Sequence, residues 1–177
     1  TLASSHKYTP LKEYCFPCDA LKILEQNEGL YLLAIGPDGS ENYWKQAVEK
    51  SKGRIIALGE ISNDQLDDFI SIADFALDSY PIPSFTALLD IAITGVPCLS
   101  LLTPIGTMDS LLVSKNLCKT KKEYFFKISE LLKNKLPNEF QAKIEEDHTE
   151  NAIQFSLSAI QHVAPTLHQI AENTSKN

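Results

Sequence analysis

The chain has 177 residues, 44% hydrophobic and 22% charged, with a formal net charge of −7. That length can bury the core of one α/β domain with helical appendages and needs no covalent staples. The acidic balance excludes general nucleic-acid or anionic-membrane binding, which needs a basic face, but leaves room for a small anion held by local donors.

In chain order, residues 1–5 read as the end of a strand, followed by a loop to about Tyr14. Pro17 suits the first turn of a helix running to about Gln26. Leu30–Ile35 is an apolar strand closed by the turn cluster Gly36-Pro37-Asp38-Gly39. Residues 41–51 read as a helix ended by Gly53, and Arg54–Leu58 as the next strand, closed by Gly59. Ser62-Asn63-Asp64-Gln65 is a capping-box start for a helix to about Ile72. Asp74–Asp78 is a strand, 84–94 a helix and 97–102 a strand. Helices over 107–115 and 121–134 flank a short strand at Asn116–Lys119, and 138–172 is mostly helical.

Short buried strands alternating with helices predict a doubly wound, Rossmann-like parallel sheet of about six strands, covered on both faces. The sheet domain is expected over 1–135, with C-terminal helices over 136–177 packing on it. In the strand order 3-2-1-4-5-6, the binding crevice opens at the carboxyl ends of strands 1 and 4. Here those strands are 1–5 and 74–78, so the loops Ser5–Pro10 and Ser79–Ser84 are expected to meet. The first carries Lys7, a compact cation suited to a diphosphate, or otherwise a solvated surface lysine. The second leads into Ser84, Phe85 and Thr86, whose N–H groups and two hydroxyls suit phosphate oxygens. Ser84 can equally be a plain helix cap. Along the helix, Thr86, Asp90 and Thr94 form one polar stripe at i, i+4 and i+8. A carboxylate within Leu-Leu-Asp-Ile-Ala-Ile is costly unless solvated or hydrogen-bonded, and ribose hydroxyls would satisfy it. The alternative is a solvated residue on a narrow exposed edge.

No run reaches the ~18 apolar residues of a membrane span, and no secretory leader opens the chain. Thr1 comes first and Met108 is the only methionine, so the chain is expected to be excised or processed from a longer protein. Four cysteines are few for a secreted scaffold of this size, and Cys98 and Cys118 lie in apolar surroundings. Both features point to a reducing, cytoplasmic compartment. Cys15-Phe16-Pro17-Cys18 has the layout of a thioredoxin-like redox site, and Gly95-Val96-Pro97 mimics the proline turn facing one. The stretch between them is far longer than that small fold uses, and one C-x-x-C is a weak zinc signal. Redox and metal use are therefore set aside. There is no G-x-G-x-x-G and no P-loop.

The order Leu32-Leu33-Ala34-Ile35-Gly36, Arg54-Ile55-Ile56-Ala57-Leu58-Gly59-Glu60-Ile61, Ala73-Asp74-Phe75-Ala76-Leu77-Asp78 and Gly95-Val96-Pro97 resembles the carboxyl-terminal half of GT-B-fold glycosyltransferases. That half binds the nucleotide sugar. The likeness is greatest to the O-GlcNAc transferase family and its bacterial relatives that put hexose on adhesin asparagines, and it covers about residues 1–135. The resemblance implies that Lys7, in Lys7-Tyr8-Thr9-Pro10, contacts the diphosphate and is needed for transfer. It implies that Thr86 binds phosphate, that Asp90 binds ribose, and that Ile61 and Asn63 lie in the loop contacting uracil. Phe85 stands where relatives carry a His, Ala87 where they carry a second Thr, and Leu66 replaces a further His.

The activity so implied is an inverting transfer of hexose or HexNAc from a UDP-sugar to a protein side chain. This chain would supply the donor-binding part of that hexosyltransferase, and an amino-terminal half would hold most of the acceptor site. The UDP-sugar is then a donor substrate, and no metal or other cofactor is required. Rival readings are a GT-B enzyme acting on lipopolysaccharide or another glycan, and a non-catalytic nucleotide-sugar-binding module.

Overall fold

The computed structural model describes residues 1–84, 86–105 and 116–133. The helices expected over 107–115 and 138–172, and the boundary at 135/136, lie outside the described residues.

The described residues form five strands and five α-helices, alternating as far as β4. They are α1 (Phe16–Gln26), β1 (Leu32–Ile35), α2 (Asn42–Lys50), β2 (Ile55–Gly59), α3 (Asn63–Ser71), β3 (Ala76–Leu77), α4 (Thr86–Ala92), β4 (Cys98–Leu101), β5 (Leu117–Cys118) and α5 (Lys121–Lys133). β1 runs parallel to β2, and β3, β4 and β5 form a second parallel set in that order. Thr1–Ala3 extends the first set. Ile35 N–H donates to Thr1 O at 3.0 Å, and Ala3 N–H donates to Ile35 O at 3.1 Å. The expected strand end at 1–5 is therefore a short parallel pairing, and the chain turns at once into a 3-10 helix at Ser5–Tyr8.

Gly36 allows that close approach. A Cβ there would sit 2.0 Å from Ala3 O, and its φ of +108° lies where side chains are rarely tolerated. β3 keeps only Ala76 and Leu77 in its ladder, fewer than the span from Asp74 to Asp78 suggests. α4 is described from Thr86, and the Ser84 amide ahead of it donates to Asp78 Oδ1 at 2.8 Å. The helix stops before Gly95, whose φ is +85°. α3 starts as its sequence predicts: Gln65 Oε1 accepts from the Ser62 amide at 3.3 Å and from the Ser62 hydroxyl at 3.1 Å.

One hydrophobic cluster joins the two strand sets, with Ala34 and Ile55 on one side and Leu77, Leu99 and Leu101 on the other. Through it runs a column of buried rings. Tyr8 meets Trp44 at 5.1 Å, Phe16 meets Tyr8 at 5.2 Å and Tyr80 at 5.1 Å, and Tyr80 meets Tyr124 at 5.8 Å. Such tilted and edge-on pairs add about 0.5–1.5 kcal/mol each beyond area burial. They also tie the strand-end loops, which carry Tyr8 and Tyr80, to α1, α2 and α5.

Candidate functional site

Parallel strands deliver their following loops to one edge, and two of these loops meet there. Tyr8 is the anchor of the first. It is fully buried, and its hydroxyl lies 2.9 Å from Thr1 Oγ1. That pins the 3-10 turn and so fixes its neighbour, Lys7. The Lys7 ammonium donates to Ser84 O at 3.0 Å, while Lys7 O accepts from the Ile82 amide at 3.3 Å. The expected meeting of Ser5–Pro10 with Ser79–Ser84 is thus made by side chain and backbone together.

The second loop is held at its root by Asp78, which the sequence reading treated only as the end of a strand. Asp78 is 1% exposed. Its Oδ1 accepts from the Ser84 amide at 2.8 Å and the Ser84 hydroxyl at 2.7 Å, and its Oδ2 accepts from the Ser100 hydroxyl at 2.7 Å. Burial raises the Asp78 pKa above the ordinary carboxylate range, and these bonds offset part of that shift. Further bonds brace the loop. Ser79 Oγ donates to Ile82 O at 2.8 Å, Thr103 Oγ1 to Pro81 O at 2.7 Å, and the Tyr80 hydroxyl to Asp19 Oδ2 at 3.0 Å. Asp19 is itself buried and also bonds Lys22 at 3.1 Å and Lys121.

Of the residues singled out in the sequence, Lys7 and Ser84 are in direct contact. Ser84 plays a different part from the one expected. It is 3% exposed and directs both its amide and its hydroxyl at Asp78, so these two donors hold the loop. Phe85 lies outside the described residues. Thr86 and Asp90 are exposed on α4, and so is Thr94 just beyond it, whereas Leu88, Leu89, Ile91 and Ala92 are buried. The polar stripe is thus real but faces outward, and solvent satisfies Asp90. Ile61 is half-buried and Asn63 exposed, both just after β2. None of these residues lines the apolar groove of about 400 Å³ that runs past Leu33, Phe69, Phe75 and Ile91.

Asp78 could have been found from sequence by its place at a strand's carboxyl end ahead of two serines that can donate to it. Cys15 and Cys18, set aside above, are joined by a disulfide across the first turn of α1. Cys98 and Cys118 are buried and unbridged, and burial raises both thiol pKa values, that of Cys118 to about 11. No helix among the described residues is long and apolar enough to cross a membrane.

No protein-family model matches the chain, and no curated protein does. Solved structures do. A mutant of the Thermobaculum terrenum O-GlcNAc transferase is 20% identical with a TM-score of 0.59, over 81% of this chain and 30% of that one. TarM is 16% identical with a TM-score of 0.61, over 89% of this chain and 36% of that one. The chain thus spans about a third of each of these two proteins. Its fold is an α/β Rossmann-like parallel sheet, consistent with one half of a GT-B fold.

Proposed function

We propose that this chain is the nucleotide-sugar-binding part of an inverting GT-B glycosyltransferase. It would bind a UDP-sugar and serve transfer of a hexose or HexNAc to a protein side chain. The observation that carries the reading is the Lys7 ammonium, held at the junction of the two strand-end loops and 3.0 Å from Ser84 O. A fixed cation at that edge stabilises charge growing on a departing diphosphate without reorganising during the reaction. Thr86 adds its hydroxyl and N–H to the phosphates, and the ribose hydroxyls bond Asp90 on the exposed face one turn further on. Ile61 and Asn63 meet the base. Lys7 supplies the positive potential, so the reading invokes no metal ion. The acceptor and any general base are met by an amino-terminal half that completes the enzyme. The reading places the chain in the cytoplasm, where the Cys15–Cys18 bridge would be open to reduction.

Calorimetric titration with UDP, UDP-glucose and UDP-GlcNAc tests the reading. A bond from a charged donor contributes about 1.5–3 kcal/mol, so Lys7→Ala is expected to weaken UDP binding by about 10- to 100-fold. Unchanged binding in Lys7→Ala would remove the assigned site. Absence of UDP binding by the parent chain at millimolar ligand would overturn the donor site, whereas binding without transfer in the completed enzyme would favour the non-catalytic module. A GT-B enzyme acting on a glycan shares the donor site and differs only in the acceptor that becomes labelled.

A further inference from the structure

We propose that Cys15–Cys18 is a thiol–disulfide exchange site whose opening loosens the 79–84 loop. The bridge joins the N-cap of α1 to a residue in its first turn. Cys18 is exposed and Cys15 half-buried, so an incoming thiolate can reach the Cys18 sulfur from solvent. The position also suits the leaving group. Cys15 departs at the start of an eleven-residue helix, where the first N–H groups and the helix dipole stabilise a thiolate.

The reductant is a dithiol. Its thiolate attacks Cys18 Sγ, the Cys15–Cys18 bond breaks, and Cys15 leaves as a thiolate. The second thiol of the reductant then attacks its own sulfur in the mixed disulfide and releases Cys18. Two electrons pass to the protein's sulfurs, the two protons of the dithiol end on Cys15 and Cys18, and the reductant becomes a disulfide. Reoxidation by a disulfide runs the same steps backward.

Coupling to the loop follows from what flanks the bridge. Phe16, inside the bridged turn, packs edge-on against the Tyr80 ring at 5.1 Å. Asp19, the residue after Cys18, accepts the Tyr80 hydroxyl at 3.0 Å. These two contacts of Tyr80 with α1 therefore sit on the bridged turn and on the residue that follows it. Removing the clamp restores conformational freedom to that turn and weakens its hold on the loop. The inference stands whether or not the loop binds a nucleotide.

The test alkylates the folded chain, with and without prior treatment by dithiothreitol, and reads each cysteine by mass spectrometry. Reduction is expected to expose Cys15 and Cys18 to alkylation while Cys98 and Cys118 stay protected, and oxidised dithiothreitol is expected to close the bridge again. A bridge that resists the dithiol until the chain unfolds overturns the exchange site, as does a chain in which oxidised dithiothreitol never joins the two sulfurs. Hydrogen exchange then reads the coupling. Amides of residues 79–84 are expected to exchange about 3-fold faster or more in the reduced chain. A Cys15→Ser/Cys18→Ser variant should match the reduced chain. Equal exchange in oxidised chain, reduced chain and variant overturns the coupling.

Discussion

Asp78 and Asp90 stand on either side of the 79–84 loop, and each solves the problem of a carboxylate among apolar neighbours in an opposite way. Asp78 is buried at the loop's root and surrounded by donors: one amide and two hydroxyls, all within 2.8 Å. Asp90 lies on the open face of α4, and water solvates it. The first arrangement builds geometry, since every lone pair used is one the loop cannot lose without moving. The second leaves a carboxylate free to meet a ligand at little cost in stability. A site that must be both rigid and accessible benefits from having these two tasks on different residues.

The sharpest way to break that contrast is Asp78→Ala. It leaves a buried amide and two buried hydroxyls without their acceptor, each costing about 1–3 kcal/mol. With partial relaxation the variant is expected to lose about 3–5 kcal/mol in urea unfolding, comparable to breaking a buried charged network. A loss under 1 kcal/mol would mean that the loop is held by something other than Asp78.

Asp78→Asn is expected to cost far less, about 1 kcal/mol at most, because the amide oxygen still accepts from Ser84 and the Ser100 hydroxyl can turn to accept. It also sharpens the comparison through pH. The Asp78 pKa is raised above its ordinary 3.8 by burial. A group raised in this way contributes stability that is fully present below its unfolded value and is lost as pH rises through the folded one. Parent and Asn variant share every other titrating group, so their difference isolates this one. From pH 4 toward neutrality, the Asn variant is expected to gain on the parent, read as urea midpoints at matched pH. A difference that stays flat over that window would show that Asp78 titrates normally.

An effect of similar size is expected for Ser100→Ala. It removes one hydroxyl donor from Asp78 Oδ2 and leaves both Ser84 bonds in place. The loss should be about 1 kcal/mol in the same unfolding assay, with the Lys7–Ser84 contact retained. Thermal denaturation of the double variant Asp78→Asn/Ser100→Ala then measures whether the two act through one bond. Additive losses would argue that they do not.

Period and punctuation carried most of the fold. The two-residue β5 was readable at Asn116–Lys119, and Gly53, Gly59 and Gly95 mark where elements stop. The loop junction was legible too, because parallel topology alone brings the ends of strands 1 and 4 together. Which carboxylate would be buried was not legible. Leu-Leu-Asp-Ile-Ala-Ile looks buried all round, yet Asp90 lies on an exposed face of α4 and Ile93, just after the helix, is 57% exposed. Burial of a helix depends on what covers each face, and a local pattern does not say. Ser84 illustrates a related point: a serine ahead of a helix reads as a cap or an anion ligand, and only the third dimension supplies Asp78 as a further acceptor. The Cys15–Cys18 spacing is visible in the sequence, but a C-x-x-C pattern alone does not say whether its two sulfurs are bonded.

The smallest expected effect on folding is the most demanding of the comparison. Asp90→Ala removes a solvated carboxylate from an exposed helix face, and alanine is the better helix former. Stability should therefore stay within about 0.5 kcal/mol of the parent. If Asp90 holds ribose hydroxyls, however, UDP affinity should fall by about 10-fold, in line with the loss of charge-assisted bonds. Uracil or a simple diphosphate, which lack the ribose, should bind parent and variant alike. The two carboxylates would then be separated by experiment: Asp78→Asn changes the pH dependence of folding, and Asp90→Ala changes only the ribose-dependent part of binding. Were Asp90→Ala to destabilise the chain by 2 kcal/mol or more, its carboxylate would be structural and the division of labour between the two residues would be lost.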